Sequence, residues 1–84
     1  MKEKQLKKKI DHSIAEQIKA KRIELGYSMS DMGKLLGVQK STYFYYESGN
    51  TSMDITTIIV LCDHLGLRWQ DVIQNANESA RRKK

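Results

Sequence analysis

Residues 28 to 49 read SMSDMGKLLGVQKSTYFYYESG, two short helical stretches joined at Gly37-Val38-Gln39. Met32, Leu35 and Leu36 fall at i, i+3 and i+4, the spacing that puts three apolar side chains on one helical face. Ser28 stands before them, where its side chain can accept from the free amides of a first turn. Gly37 then ends the stretch, because a residue without a Cβ enters left-handed backbone at no steric cost. Val38 is the apolar residue of the turn, suited to tuck between the two helices. Gly33 lies on the inner side of the first helix, where a missing side chain allows a close crossing. Advancing about 100° per residue from Lys40, Thr42, Tyr43 and Tyr46 gather on one side of the second helix. Lys40, Ser41, Phe44, Tyr45 and Ser48 gather on the other. The first set is the expected inner face and the second the expected contact face.

Two short helices about a sharp turn are the layout of a helix-turn-helix, in which the N-terminal residues of the second helix meet base edges in the major groove. Double-stranded DNA is therefore the leading partner. From Ile14 to about Ile73 the chain resembles the Cro/repressor-type helix-turn-helix family of bacteria and phages, also called the xenobiotic-response-element family. The DNA-binding domains of lambdoid phage repressors are especially similar. The elements that carry the resemblance are IKAKRIELG at 18–26, LLGV at 35–38, ST at 41–42, ESG at 47–49 and LCDHLGL at 61–67, in this order and spacing. The resemblance implies an all-α fold, a compact bundle of five helices, expected over 13–25, 29–36, 40–48, 55–65 and 69–74. Local signals agree with it: Ser13 with Glu16 fits a capping box, Gly26 and Gly66 follow the last turns of the first and fourth helices, and Asp54 suits the N-cap of the fourth. There are no alternating strand-like runs and no proline.

Carried over position by position, the resemblance implies base reading by Lys40, Ser41 and Tyr45 with Phe44 alongside. It implies phosphate contacts at Ser28 and Met29, and at Ser48, Asn50 and Ser52 around the loop after the third helix. It also implies an internal ion pair between Arg22 and Glu47, in which the planar arginine fork holds the carboxylate while a remaining donor faces a phosphate. Two departures stand out. Met29 occupies a position where the family commonly has glutamine, and Gln39 replaces the usual Ser or Thr cap of the third helix. The FYY run after Tyr43 is also unusually aromatic; Phe44 and Tyr45 can contact thymine methyls or equally form a docking surface for another protein.

The 84 residues allow one small domain, with a core expected from Ile18, Leu25, Met32, Leu35, Val38, Ile55, Ile58, Leu61, Leu65 and Trp69. The net charge of +5 is uneven. Residues 1–11 carry five Lys against Glu3 and Asp11, and residues 78–84 carry Arg81, Arg82, Lys83 and Lys84 against Glu78, whereas the body between them has six basic and seven acidic side chains. This divides the chain into a basic flexible N-terminal arm (1–11), a DNA-binding domain (12–76) and a basic C-terminal tail (77–84). Such ends are either solvated or follow DNA phosphates without reading sequence.

The longest apolar run, Ile58 to Cys62, is five residues, far short of a membrane span, and no signal-peptide run follows the basic start. A cytoplasmic location is expected. Cys62 is the only cysteine and is read as a small core residue; with His64 on a different helical face, it lacks the company a structural zinc needs. No metal, no cofactor and no catalytic constellation are expected. Ile59, Val60, Trp69, Val72 and Ile73 add apolar surface to the last two helices and are the candidates for a homodimer contact. The leading function is a sequence-specific transcriptional regulator, most simply a repressor occupying an operator. The alternative is a protein-interaction module, such as an antitoxin or anti-repressor, that presents the aromatic third helix or the apolar fourth helix to a protein.

Overall fold

Gly26, Gly37 and Gly66 adopt φ of 81°, 71° and 74°, and each closes a helix from the left-handed region. The computed structural model describes residues 2 to 82. They form α1 (Glu3–Leu25), α2 (Met29–Leu36), α3 (Lys40–Glu47), α4 (Ile55–Leu65) and α5 (Trp69–Arg81), with no strand among the described residues. The all-α, five-helix expectation holds. α2 and α4 have the expected bounds, and α3 ends one residue early, with Ser48 as its C-cap.

α1 and α5 are both longer than expected. α1 starts at Glu3, so the described part of the presumed flexible arm is helical and Ser13 caps nothing. Its carbonyl accepts a 3.3 Å bond from Gln17 Nε2, well inside the helix. Two features of the sequence explain the extension: KKKIDH contains no glycine or proline to stop a helix, and Leu6, Ile10, Ile14 and Ile18 recur every four residues. Ile14 and Ile18 are buried, and Ile10 packs on the core from its edge. At about 1.5 Å per residue, these 23 residues account for nearly all of the molecule's 36 Å length.

α5 runs on to Arg81 because Val72, Ala76 and Ala80, at i, i+4 and i+8, form a buried stripe. α5 lies antiparallel along α1. Gln17 Nε2 donates to the Val72 carbonyl at 2.9 Å, Asn75 donates to Gln17 Oε1 at 3.3 Å, and the C-terminal turn reaches the first turns of α1. The presumed tail is therefore helical through Arg81; Lys83 and Lys84 lie outside the described residues.

Ile18, Met32, Ile58, Leu61 and Leu65 form the core as expected, joined by Ile14, Tyr43, Cys62, Val72 and Ala76. Val38 and Trp69 pack against it while half-buried. Leu25, Leu35 and Ile55 do not belong to it, being 37% to 49% exposed. Each sits on the outward side of its helix, and Leu36, not Leu35, turns toward the core.

Candidate nucleic-acid interface

α3 is oriented by what lies behind it. Arg22, near the end of α1, donates from Nε to Glu47 Oε2 at 2.7 Å and from Nη2 to Glu47 Oε1 at 2.8 Å. Its third nitrogen, Nη1, donates to the Tyr27 carbonyl at 2.7 Å. One guanidinium thus ties the end of α1, the segment entering α2 and the end of α3. The two side chains are 9% and 2% exposed. The hydrogen bonds that Arg22 donates to Glu47, opposed by burial, raise the Arg22 pKa, so the arginine stays charged. Three of the five guanidinium N–H donors are used in this way, which makes Arg22 a hub of the fold.

The turn is equally constrained. A Cβ on Gly33 would stand 2.9 Å from the Val38 carbonyl oxygen, and the Val38 amide donates to the Gly33 carbonyl at 2.9 Å. The close approach that requires this glycine is made by the turn backbone, not by α3 itself. Ser28 caps α2 as expected, and it does so reciprocally. Its hydroxyl accepts from the Asp31 amide at 3.0 Å, and its own amide donates to the Asp31 carboxylate at 2.9 Å. The Ser28 amide first, and then its hydroxyl, hold the Asp31 pKa below the ordinary carboxylate range.

With this scaffold behind it, α3 turns Tyr43 and Glu47 inward and leaves Lys40, Ser41, Phe44 and Tyr45 exposed. Phe44 and Tyr45 are 49% and 51% exposed, and their rings meet edge to face with centroids 5.6 Å apart. Thr42, placed on the inner face by the helical wheel, is exposed instead. On so short a helix the buried stripe is narrow, and Tyr43, Tyr46 and Glu47 fill it. The Tyr43 hydroxyl is buried without a hydrogen-bond partner, and burial first, then the Glu47 carboxylate, push its pKa up.

A small cleft of about 80 Å³ is lined by Lys19, Met29, Phe44, Glu47 and Ser48. It brings two expected phosphate residues, Met29 and Ser48, beside the expected reading residue Phe44. Lys19 was missed. Its signal was its place three residues before Arg22, one turn along the same side of α1. Beyond α3 the Ser48 hydroxyl donates to the Tyr45 carbonyl at 2.9 Å and accepts from the Asn50 amide at 3.4 Å. Gly49, at φ 79°, leaves room for His12, whose Nδ1 would be 2.9 Å from a Cβ there. Ser52 is tied to α1: Lys7 Nζ donates to its hydroxyl at 2.7 Å, and that hydroxyl donates to Asp11, which also pairs with Lys7 at 3.2 Å.

Of the dimer candidates, Val72 is ruled out as a surface residue because it is buried in the α1–α5 stripe. Trp69 and Ile73 pack on the core while half-buried; Ile59 is half-buried and Val60 is 37% exposed. Cys62 is enclosed in the core, where burial pushes its thiol up to about 11. Among the described residues no three His, Cys, Asp or Glu side chains gather where a metal could bind, and no helix is long and apolar enough to cross a membrane.

The Helix-turn-helix family profile matches residues 18–72, which include the Arg22–Glu47 pair, the turn and all of α3. HTH-type transcriptional regulatory proteins, so named provisionally, of Saccharolobus islandicus and Saccharolobus solfataricus are each 37% identical to the chain over 49 residues, or 58% of its length. The aligned part is only 16% of each of those relatives. No solved structure matches the chain significantly.

Proposed function

The chain belongs to the helix-turn-helix family, and on that premise we propose that it binds double-stranded DNA in a sequence-specific manner and regulates transcription, acting as a repressor in the cytoplasm. The observation that carries this reading is the two-sided α3. Its inner side is clamped by Tyr43 and by Glu47 on Arg22, so its outer side, with Lys40, Ser41, Phe44 and Tyr45, is presented at a fixed angle.

Lys40 can donate to guanine O6 and N7, Ser41 can donate or accept at short range, and the Phe44–Tyr45 pair can meet thymine methyls. The cleft holding Met29 and Ser48, the amides at the start of α2, and Asn50 in the loop after α3 supply phosphate contacts. Glu47 faces no phosphate as a free anion, because Arg22 neutralises it. The reading involves binding without a reaction. It places two copies on an operator with half-sites roughly 10 bp apart, meeting through Ile59 and Val60 with Trp69 and Ile73 at their margin.

Selection of a binding site from a random duplex pool, followed by a gel shift with excess nonspecific DNA, tests the proposal. A shifted band that survives the competitor supports it. Binding that any duplex removes equally would leave Phe44 and Tyr45 as a docking surface for a protein partner, as in an antitoxin or anti-repressor.

A further inference from the structure

Sequence alone separates the two basic ends of this chain by the length of the domain. The fold joins them. Because α5 runs antiparallel along α1, Arg81 and Arg82 arrive beside the first turns of α1. An open groove of about 1130 Å³ lies between them, lined among others by Lys8, Lys9, His12, Ser79, Arg81 and Arg82. In its described part this end of the bundle carries Lys2, Lys4, Lys7, Lys8, Lys9, Arg81 and Arg82 against Glu3, Asp11, Glu78 and, lining the groove itself, Glu16.

Three features make it a shaped surface. The lysines stand on a continuous helix. Arg81, exposed to solvent, is held by a 2.7 Å bond from its Nε to Asn77 Oδ1. Ala80, buried between these arginines and α1, fixes the last turn of α5 in place.

The groove is also continuous with the proposed DNA face. His12 lines it and packs under Gly49, and Asp11 just before it, with Lys7 one turn earlier still, holds Ser52. The loop after α3 is thus attached to the basic end through α1. We propose that the basic end formed by α1 and α5 binds the DNA phosphate backbone outside the half-site read by α3. Lys8, Lys9, Arg81 and Arg82 are its contacts, and Lys7, Asp11 and His12 position the loop against it. This rests on the DNA-binding reading, but it extends the footprint to a surface beyond the turn and the reading helix. Charge complementarity selects the occupant: a run of cations without exposed aromatics or a deep pocket attracts a regular polyanion and cannot discriminate bases.

The experiment compares the full chain with the variant Lys8→Gln/Lys9→Gln/Arg81→Gln/Arg82→Gln. Binding to a mixed-sequence 30-bp duplex is measured by fluorescence anisotropy over a salt series, and thermal melting verifies the fold. The plot of log affinity against log salt should flatten by roughly 0.9 for each cation that loses a phosphate. The preference for a selected operator over mixed sequence should be unchanged. An unflattened slope in the folded variant overturns the proposal, even if operator preference is intact. A flattened slope in a protein that selects no operator leaves the basic end standing and refutes the reading helix instead. A second variant, Lys8→Glu/Arg82→Glu, should flatten the slope by roughly 1.8 for its two lost contacts; a slope equal to that of the wild type would again contradict the assignment.

Discussion

The junction of α1, α2 and α3 and the basic end of α1 and α5 both involve arginines, but they use them in opposite ways. At the junction a single guanidinium is withdrawn from water and given fixed partners on two neighbouring segments, Glu47 and the Tyr27 carbonyl. At the basic end seven cations stay exposed to solvent, and the bonds that Lys7 makes to Asp11 and Ser52 and Arg81 makes to Asn77 lie at the surface. A buried charge fixes geometry because it cannot lose its partner without a large penalty. Exposed charges supply attraction that tolerates small displacements and is screened by salt. The first arrangement suits the aiming of a reading helix and the second suits holding a phosphate backbone.

The contrast is most easily broken at the junction. Glu47→Ala strands a buried arginine and should cost about 3–5 kcal/mol, measured by urea unfolding. A loss below about 1 kcal/mol would mean that the pair does not organise α3. Tyr43→Ala should cost a similar ~3–5 kcal/mol through the cavity it leaves. Tyr43→Phe should be close to neutral or stabilising, because it removes a buried hydroxyl that has no partner. A large loss in the Phe variant would show that the hydroxyl bonds to Glu47 in solution.

Gly33→Ala reverses the usual helix rule. Alanine ordinarily stabilises a helix interior by about 1 kcal/mol over glycine, but here its Cβ would press on the Val38 carbonyl oxygen. Overpacking of about 1–3 kcal/mol should lower the melting temperature, and a rise would show that the turn can give way. At the basic end Lys8→Ala or Lys9→Ala should change stability by no more than about 0.5 kcal/mol, the counterpart that the comparison requires.

The smallest effect is acid sensitivity at the caps. Asp31 is held low by the Ser28 amide and hydroxyl, and Asp54 by hydrogen bonds from Thr57, which reach it at 2.8 Å from the amide. Both carboxyls titrate lower in the folded chain. Their contribution is therefore full above the unfolded value near pH 4 and fades as pH falls through the lower folded values. The urea midpoint should drop over that range, and Asp31→Asn/Asp54→Asn should flatten the drop.

The same contrast separates what was legible in the sequence from what was not. Turn chemistry is local, so Gly37, Ser28 and Asp54 gave α2 and α4 their bounds, and the spacing around Lys40 gave all four tyrosine and phenylalanine placements on α3, missing only the exposure of Thr42. Ser13-Ile14-Ala15-Glu16 and Ser28-Met29-Ser30-Asp31 present nearly the same capping pattern, yet only the second caps a helix. The difference lies upstream: Gly26 breaks the chain before Ser28, whereas nothing breaks it before Ser13. The outer extents of α1 and α5 depend on each other, since Ala76 and Ala80 have a stripe to bury only once α1 lies alongside. Alanine at that spacing is too weak a signal to read alone, and for the same reason Val72 passed for a surface residue. Of the candidate site, the exposure of Lys40, Ser41, Phe44 and Tyr45 followed from the wheel, while the engagement of Arg22 with Tyr27 and the nearness of Lys19 to Phe44 required the fold.

The central claim is that the outer side of α3 chooses the DNA sequence. Its most direct measurement is the ratio of operator to nonspecific affinity for Lys40→Ala and Tyr45→Ala, each verified as folded. Lys40→Ala should cost about 1–3 kcal/mol on the selected operator and much less on random DNA, and Tyr45→Ala should lower the same ratio. If both variants keep the wild-type ratio, α3 does not read bases, and its exposed aromatic pair is a surface for a protein partner.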